Sequence, residues 1–485
     1  MSDSTPRGYH QTEAGGPAIG QDEWVARHAE RRVLPERFGK VEDRLRRVPW
    51  WAWLTLFVAA FCLFPAVETS GYVRRVAFDT VLLMLLALGL NVVVGWGGLL
   101  DLGFVAFYGI GAYAYALLDS PHYGLHLPTL LVVPIVVLGG AIAGLLLGLP
   151  SRRLTGDYLA IVTLFFLQLF QTVTTNWQHV TGGPFGILNI DPFSLFGHQL
   201  AVQHGGEFAV GYLYVALAFF VVVFVALRMV NFSRTGRAWR SLREDPLAAE
   251  AMGMPVNWLK LMAFSFGAAV AALTGTLFAA LNSNVFPLTF YFVLLITVYT
   301  AVILGGSGNM WGVALGALIV WPLLELLRDP NKSRVIFYVA LVVGLAMAWR
   351  RTRAAGWVAL GTLVFGFAVH ELCRAINSSW VAGEKDPGFA GVVNHWVVAP
   401  EQLARWIAPV SYVGVIVAAL LCTVLKGRAR LVALVPTLYL AAFVWENVML
   451  SKPEPARYIV LGLILIGLMI LRPNGLLGER RVEIV

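Results

Sequence analysis

Two stretches of this chain carry residues whose types and spacing suggest work beyond packing. The first is Leu88-Gly89-Leu90-Asn91-Val92-Val93-Val94-Gly95-Trp96-Gly97-Gly98-Leu99-Leu100-Asp101-Leu102-Gly103. It interrupts apolar character that runs from Val76 to Leu118, too long for one membrane crossing. Each glycine weakens a helix by about 1 kcal/mol relative to alanine. Broken backbone at membrane depth persists only where it is buried in protein or lines an aqueous cavity. Asn91, Gly95, Gly97, Gly98 and Asp101 are therefore candidates for lining a substrate pathway, with Asp101 placed to cap the next helix. A tight hairpin between two ordinary spans, with Asp101 as a plain cap, fits the same residues.

The second stretch runs from Phe232 to Pro255 and opens with Arg234, Arg237, Arg240 and Arg243. Asp245 can cap a short helix that has Pro246 at its first position, and Gly253 can end it. About two turns then expose Leu247, Ala251 and Met252 beside Glu250, with no apolar core of their own to join. A short capped helix of this kind suits docking into a groove of another protein. An ordinary juxtamembrane loop needs no caps.

Other chemistry is thin. No G-x-x-x-x-G-K-[ST] occurs, since Gly39-Lys40 continues to Val41, so ATP is not bound through a P-loop. His122 and His126 flank Gly124 in a short outer loop, and with no carboxylate or thiol expected nearby they read as loop residues, not metal ligands. Cys62, Cys373 and Cys422 lie in or beside apolar runs and read as buried small hydrophobes. No Ser/His/Asp or paired-carboxylate pattern stands out, and the outer loops lack the acidic clusters of a membrane glycosyltransferase. Neither an enzyme nor a bound metal or cofactor is expected.

The elements that must position these residues are membrane helices. Of 485 residues, 58% are hydrophobic and 13% charged, against about 45–50% and about 25% in soluble chains. With a mean hydropathy of +0.72, the expected fold is an all-α polytopic integral membrane protein. About fourteen apolar runs fall near 50–66, 76–94, 102–118, 128–149, 157–175, 208–230, 258–281, 288–304, 310–327, 335–349, 356–374, 410–425, 431–450 and 457–471. The pairs meeting at Gly95–Asp101 and Gly305–Asn309 can each be one broken or re-entrant element.

The net charge of +8 serves orientation, not nucleic-acid binding. With a cytosolic N-terminus and alternating sides, 26 of the 36 Lys and Arg fall inside and 10 outside. The inner set includes Arg152, Arg153, Arg350, Arg351, Arg353, Lys426, Arg428, Arg430, Arg480 and Arg481. Both termini are thus expected in the cytosol; Arg74 and Arg75 dissent. The segment Asp22–Arg47 can form an amphipathic surface helix or a flexible tail, and the first apolar run, at Trp50, comes too late for a secretory signal. Gly140, Gly144 and Gly148, like Gly312 and Gly316, form faces for close helix packing. Charges inside spans cost about 2.5–3.5 kcal/mol. Glu325 and Glu371 lie near span ends, whereas Asp79 and Glu446 do not; for Asp79 a structural hydrogen bond and a transport role both stay open.

Here a resemblance becomes specific. Glu250-Ala251-Met252-Gly253 after the Arg-rich lead resembles the coupling loop of ABC importer permeases. Six further motifs are similar to the LivM-type branched-chain amino acid permeases: Gly-Leu-Asn at 89–91, Leu-Leu-Asp-Leu-Gly at 99–103, Ala-Phe-Tyr-Gly-Ile-Gly-Ala-Tyr at 106–113, Gly-Asp-Tyr-Leu-Ala-Ile-Val-Thr-Leu at 156–164, Thr-Gly-Gly-Pro-Phe-Gly-Ile at 181–187 and Arg-Pro-Asn-Gly-Leu-Leu-Gly at 472–478. They lie in order across residues 75–328 and again at 457–478. The resemblance implies a permease subunit of an ATP-driven importer, working by alternating access in the bacterial cytoplasmic (inner) membrane. It implies a second, LivH-like permease, two cytosolic ATPases of the LivG and LivF kind that use ATP and Mg, and an extracytoplasmic binding protein. On it Glu250, Ala251 and Gly253 map to the coupling helix; Arg240, Glu244, Asp245, Leu247 and Met252 are placed at the same contact. Phe107, and Thr181, Gly182 and Gly183 on the outer side, join the candidate pathway.

The organisation expected is a cytosolic tail over 1–49, a permease core over 50–329 with its coupling loop at 231–257, an inserted or duplicated helical block over 330–456, and a last core helix with the C-terminus over 457–485. The block departs from the family, and Arg334-x9-Gly344-Leu345 and Arg457-x9-Gly467-Leu468 look like two copies of one last-helix pattern. The outer segment near 375–409, with Trp380, Glu384, Lys385, Asp386, Trp396 and Trp406, can contact the binding protein or lie on the membrane. Rival readings are a urea or short-amide importer of the same superfamily and an ion-coupled secondary transporter, which needs paired broken helices but no ATPase-docking loop.

Overall fold

Uncharged runs rich in leucine, valine and alanine become helices because lipid offers no partner for backbone N–H and C=O groups. The computed structural model describes residues 49–478 except 122, 152–153, 155, 196–197, 201–202, 205–206, 209, 352–353, 383–388, 401–405 and 472–473. The segment 22–47, His122, Arg152, Arg153, Arg353, Glu384, Lys385, Asp386, Arg480 and Arg481 lie outside the described residues. The main helices are α1 (Trp50–Val67), α2 (Gly71–Leu90), α3 (Phe104–Leu118), α4 (Thr129–Ser151), α5 (Asp157–Asn176), α6 (Val210–Phe232), α7 (Arg234–Glu244), α8 (Pro246–Ala251), α9 (Val256–Asn282), α10 (Phe292–Gly305), α11 (Met310–Leu326), α12 (Pro330–Arg351), α13 (Ala354–Ile376), α14 (Ile407–Val424), α15 (Gly427–Val444) and α16 (Pro453–Leu471). Apart from α7 and α8 they coincide with the apolar runs. Among the described residues ten helices are long and apolar enough to cross a membrane, and α3 and α11 are shorter apolar helices.

Contacts divide the chain into residues 1–66 and 67–485. In the second unit α2 and α9 are enclosed over most of their length. Helix α9 packs on α3 and α4, and α2 packs on α6, α9 and α11. Close approach explains the glycine faces. A Cβ on Gly144 would stand 2.6 Å from the Phe264 carbonyl oxygen, and one on Gly148 would stand 2.7 Å from Leu261, both on α9. The expected packing role is thus met inside the chain.

Hydrogen bonds and strand pairs gather the connections of this unit into two groups, one at each end. At one end lie α7, α8, the breaks at 97–103 and 306–309, and residues 474–478, where Leu476 N–H donates to Leu304 C=O at 2.8 Å. At the other lie β1 (Asp119–Ser120) paired with β2 (Leu125–His126), and β3 (Ile187–Leu188) paired with β4 (Asn284–Val285), both antiparallel.

Residues 330–452 form a helical block with a small core of Val393, Val397 and Ala442 against Phe337, Tyr338, Trp396 and Phe443. Glu446, unexplained by span ends, sits in a π-helical turn, Trp445–Met449, and meets Arg334 Nε at 2.9 Å, both side chains largely enclosed. Phe337 stacks on Trp445 at 4.6 Å. Helix α16 returns to pack on α10 and α11.

Candidate functional site

The candidate docking helix is built by its caps. The Asp245 carboxylate accepts from the N–H groups of Leu247 (2.9 Å) and Ala248 (3.1 Å), satisfying donors that α8 leaves free. At its other end Gly253 takes φ +77°, which favours glycine. Gly253 N–H reaches Glu250 C=O and Met254 N–H reaches Ala249 C=O, at 2.9 and 3.1 Å, closing a Schellman motif. Ala249 is buried, while Leu247 and Met252 stand 78% and 81% exposed. Glu244, Glu250, Ala251 and Gly253 are exposed as well, and exposed Arg240 donates to Asn231 C=O at 3.2 Å.

The root of this knob is firmer than its tip. Helix α7 carries fully buried Trp239, whose indole N–H donates to Leu259 C=O at 2.9 Å and whose ring stacks on Trp96 at 6.2 Å. Trp96 closes a π-helical turn, Asn91–Trp96, that continues α2 before the chain breaks. Its indole N–H donates to Gly308 C=O at 3.0 Å, and Gly308 N–H donates to Asn91 Oδ1 at 2.7 Å. Arg243 of α7 donates to Gly95 C=O and, at 3.2 Å, to Ser307 Oγ. One guanidinium therefore holds both broken elements, and a Cβ on Gly98 would stand 2.9 Å from its Cγ. The sequence marked both breaks and the knob. It did not single out Trp239, Trp96 or Arg243, because their partners lie far away along the chain.

The candidate pathway residues divide between the two ends. Asn91, Gly95, Gly97, Gly98 and Asp101 lie at or beside the α7–α8 end. Asp101 is fully buried; its Oδ1 accepts from Gly103 N–H at 2.8 Å, and its backbone is clasped by the Tyr299 hydroxyl. The helix cap expected of Asp101 is not made: Gly103 stands at the start of α3, no side chain accepts from the first-turn N–H groups, and Asp101 turns back only onto Gly103 N–H. Asp101 Oδ2 and Asn91 Nδ2 are buried without a hydrogen-bond partner. Phe107 is buried in α3 against Phe166 at 5.2 Å. Thr181, Gly182 and Gly183 sit at the opposite end, where Thr181 Oγ1 donates to Thr174 C=O at 2.7 Å and both glycines take positive φ.

At that opposite end one expectation is corrected. His126 does have carboxylates nearby: it pairs with Asp191, and its ring, Asp119 and Asp191 bring ligand-type atoms within 4.8 Å of one another. Asp191 is distant in sequence and arrives because its N–H donates to Asp119 C=O at 3.0 Å. Burial, with the Asp191 charge adding to it, pushes the Asp119 carboxyl above its ordinary range.

With this geometry in place, comparison with known proteins is informative. The family of permease components of branched-chain amino acid transport systems matches residues 72–345. The high-affinity branched-chain amino acid transport system permease protein LivM of Escherichia coli K12 is 41% identical over 293 residues, covering 57% of this chain and 68% of that protein. Its Salmonella typhimurium LT2 counterpart matches to the same extent. The permease protein LivH of the same transport system in E. coli K12 is 29% identical over 174 residues, covering 35% of this chain and 53% of LivH. No solved structure matches this chain.

Proposed function

This chain belongs to the family of branched-chain amino acid transport permeases, and from that membership we propose that it is the LivM-type permease subunit of an ATP-driven importer of branched-chain amino acids. It pairs with a LivH-like permease. Two cytosolic ATPase subunits hydrolyse ATP with Mg, an extracytoplasmic binding protein delivers substrate, and the assembly sits in the bacterial cytoplasmic membrane. The α7–α8 end faces the cytosol; the four arginines of α7 support that orientation under the positive-inside rule.

The observation that carries this reading is the construction of α7–α8: exposed apolar side chains at a capped tip, and a root that grips two broken membrane elements through Arg243 and Trp239. A push on α8 by an ATPase rotates α7, and the Trp239–Trp96–Gly308 contacts pass that rotation to both breaks at once. The buried, unpartnered Asp101 Oδ2 and Asn91 Nδ2 are groups whose partners change as the breaks move. Asn91, Gly95, Gly97, Gly98, Asp101 and Phe107 then belong to the inner part of the pathway, and Thr181–Gly183 to its outer mouth. Residues 330–452 are an added helical block, inserted or duplicated, before the last core helix, and the family match, which runs on to residue 345, takes in its first part.

Glu250→Arg reverses charge on the exposed docking face without touching the core. Expected in reconstituted complex is loss of most leucine uptake and of substrate-stimulated ATP hydrolysis, with normal membrane insertion. Wild-type coupling in that variant overturns the docking role. Competition for uptake among leucine, isoleucine, valine and urea tests the substrate class.

A further inference from the structure

Three oddities of the sequence meet in one place. Asp79 and Glu325 are carboxylates inside or near the ends of spans, and Arg75 opposes the charge asymmetry. All three line a cavity of about 490 Å³ between α2, α10, α11 and α16, in the part of the unit away from α7 and α8. That volume is ordinary for a small-molecule site.

The cavity is graded. Near the ends of the helices it carries both signs of charge: Arg75 Nε meets Asp79 at 3.2 Å and its Nη2 donates to Asn282 at 2.7 Å, while the Tyr72 hydroxyl donates to Glu325 at 2.8 Å. One face of α2 then supplies Leu82, Leu83 and Leu86, up to about 16 Å farther along the helix axis from Arg75 at helical rise. Two N–H donors among the lining residues, Trp321 Nε1 and Arg457 Nε, are buried without a hydrogen-bond partner. A buried donor without an acceptor is costly, so these two call for an oxygen from a ligand.

We propose that this cavity binds an aliphatic α-amino acid as its zwitterion. The carboxylate accepts from Trp321 Nε1 and Arg457 Nε, the ammonium faces Asp79 and Glu325, and the branched side chain lies against Leu82, Leu83 and Leu86. A simple anion would leave the two carboxylates beside it, and a simple cation would face the arginines; a ligand bearing both signs suits both sets. The assignment rests on the permease reading above, which brings amino acids to this chain, and it places a site outside the stretches that the sequence suggested as pathway.

The test uses the full chain in lipid nanodiscs and radiolabelled leucine. Isoleucine and valine are expected to displace it, whereas leucinol, which lacks the carboxylate, and 4-methylpentanoic acid, which lacks the ammonium, compete at least tenfold more weakly. Trp321→Phe, which removes one N–H and little volume, weakens binding about tenfold, and Leu86→Trp abolishes it. Leucinol competing as well as valine, or undiminished leucine binding in both variants, overturns the site. Leucine uptake by the assembled transporter separates the two claims. Wild-type uptake that persists unchanged in both variants overturns this site alone. A wild-type complex that imports no branched-chain amino acid overturns the permease reading, and nanodisc binding then still judges the cavity.

Discussion

Arg243 shows how much one side chain can be asked to do. Its guanidinium donates to a backbone carbonyl in one break and to a serine hydroxyl in the other, and a planar fork can hold two acceptors in fixed relation where a lysine ammonium is a single point charge. Arg243→Lys keeps the positive charge and loses the bridge. With each hydrogen bond from a charged group worth about 1.5–3 kcal/mol, the variant is expected to lower coupled leucine uptake at least tenfold while expression and membrane insertion hold. Uptake within twofold of wild type would show that the bridge is not the transmitting contact. None of this was legible in the sequence, where Arg243 is one of four similar arginines; its role appears only when residues 95 and 307 are brought to it. Asp79 was legible as a charge away from the span ends, and Glu325 only as one close to them. Their meeting was not, because it depends on which faces of α2 and α11 oppose each other.

Among elements, α8 was the easiest to foresee, since its caps are local chemistry: an aspartate before a proline, a glycine after the last turn. A helix of six residues has little propensity of its own, so its shape depends on those ends. Asp245→Ala removes the one oxygen that accepts from both the Leu247 and Ala248 N–H groups and costs about 1 kcal/mol, enough to fray α8 without disturbing the buried α7 root. Uptake is expected to fall severalfold with unchanged thermal stability of the chain in detergent, and Asp245→Ser should restore most of it. An alanine variant with full activity would mean that α8 need not be rigid. The glycine-rich interruptions were harder to read. Propensity says where a helix weakens, but not that α2 would persist through a π-helical turn to Trp96, which requires Gly308 and Asn91 to re-pair its end.

The extra helices pose the question that belongs to the whole molecule. The chain leaves the core after α11 and comes back at α16, and Arg328 lies 3.8 Å from Glu454, so departure and return are neighbours. An insertion tolerates removal best when its two ends are close and its own core is separate, and here the block keeps its own apolar cluster and the enclosed Arg334–Glu446 pair. The likeness between Arg334-x9-Gly344-Leu345 and Arg457-x9-Gly467-Leu468 is real in sequence, yet it is α16 that lies on α10 and α11, while α12 packs on α13. Deleting 330–452 and joining Asp329 to Pro453 therefore keeps the helix that closes the core, with proline at a helix start where its missing N–H is harmless. The shortened chain is expected to insert, assemble with its partners and import leucine at no less than half the full-length rate. Arg334→Ala supplies the independent arm. It leaves the Glu446 carboxylate buried without its cation at a cost of about 3–5 kcal/mol, so proteolysis should reach the block sooner while uptake is unchanged. If loosening or excising the block stops transport in a chain that still inserts, those helices take part in the cycle and are not a passenger on it.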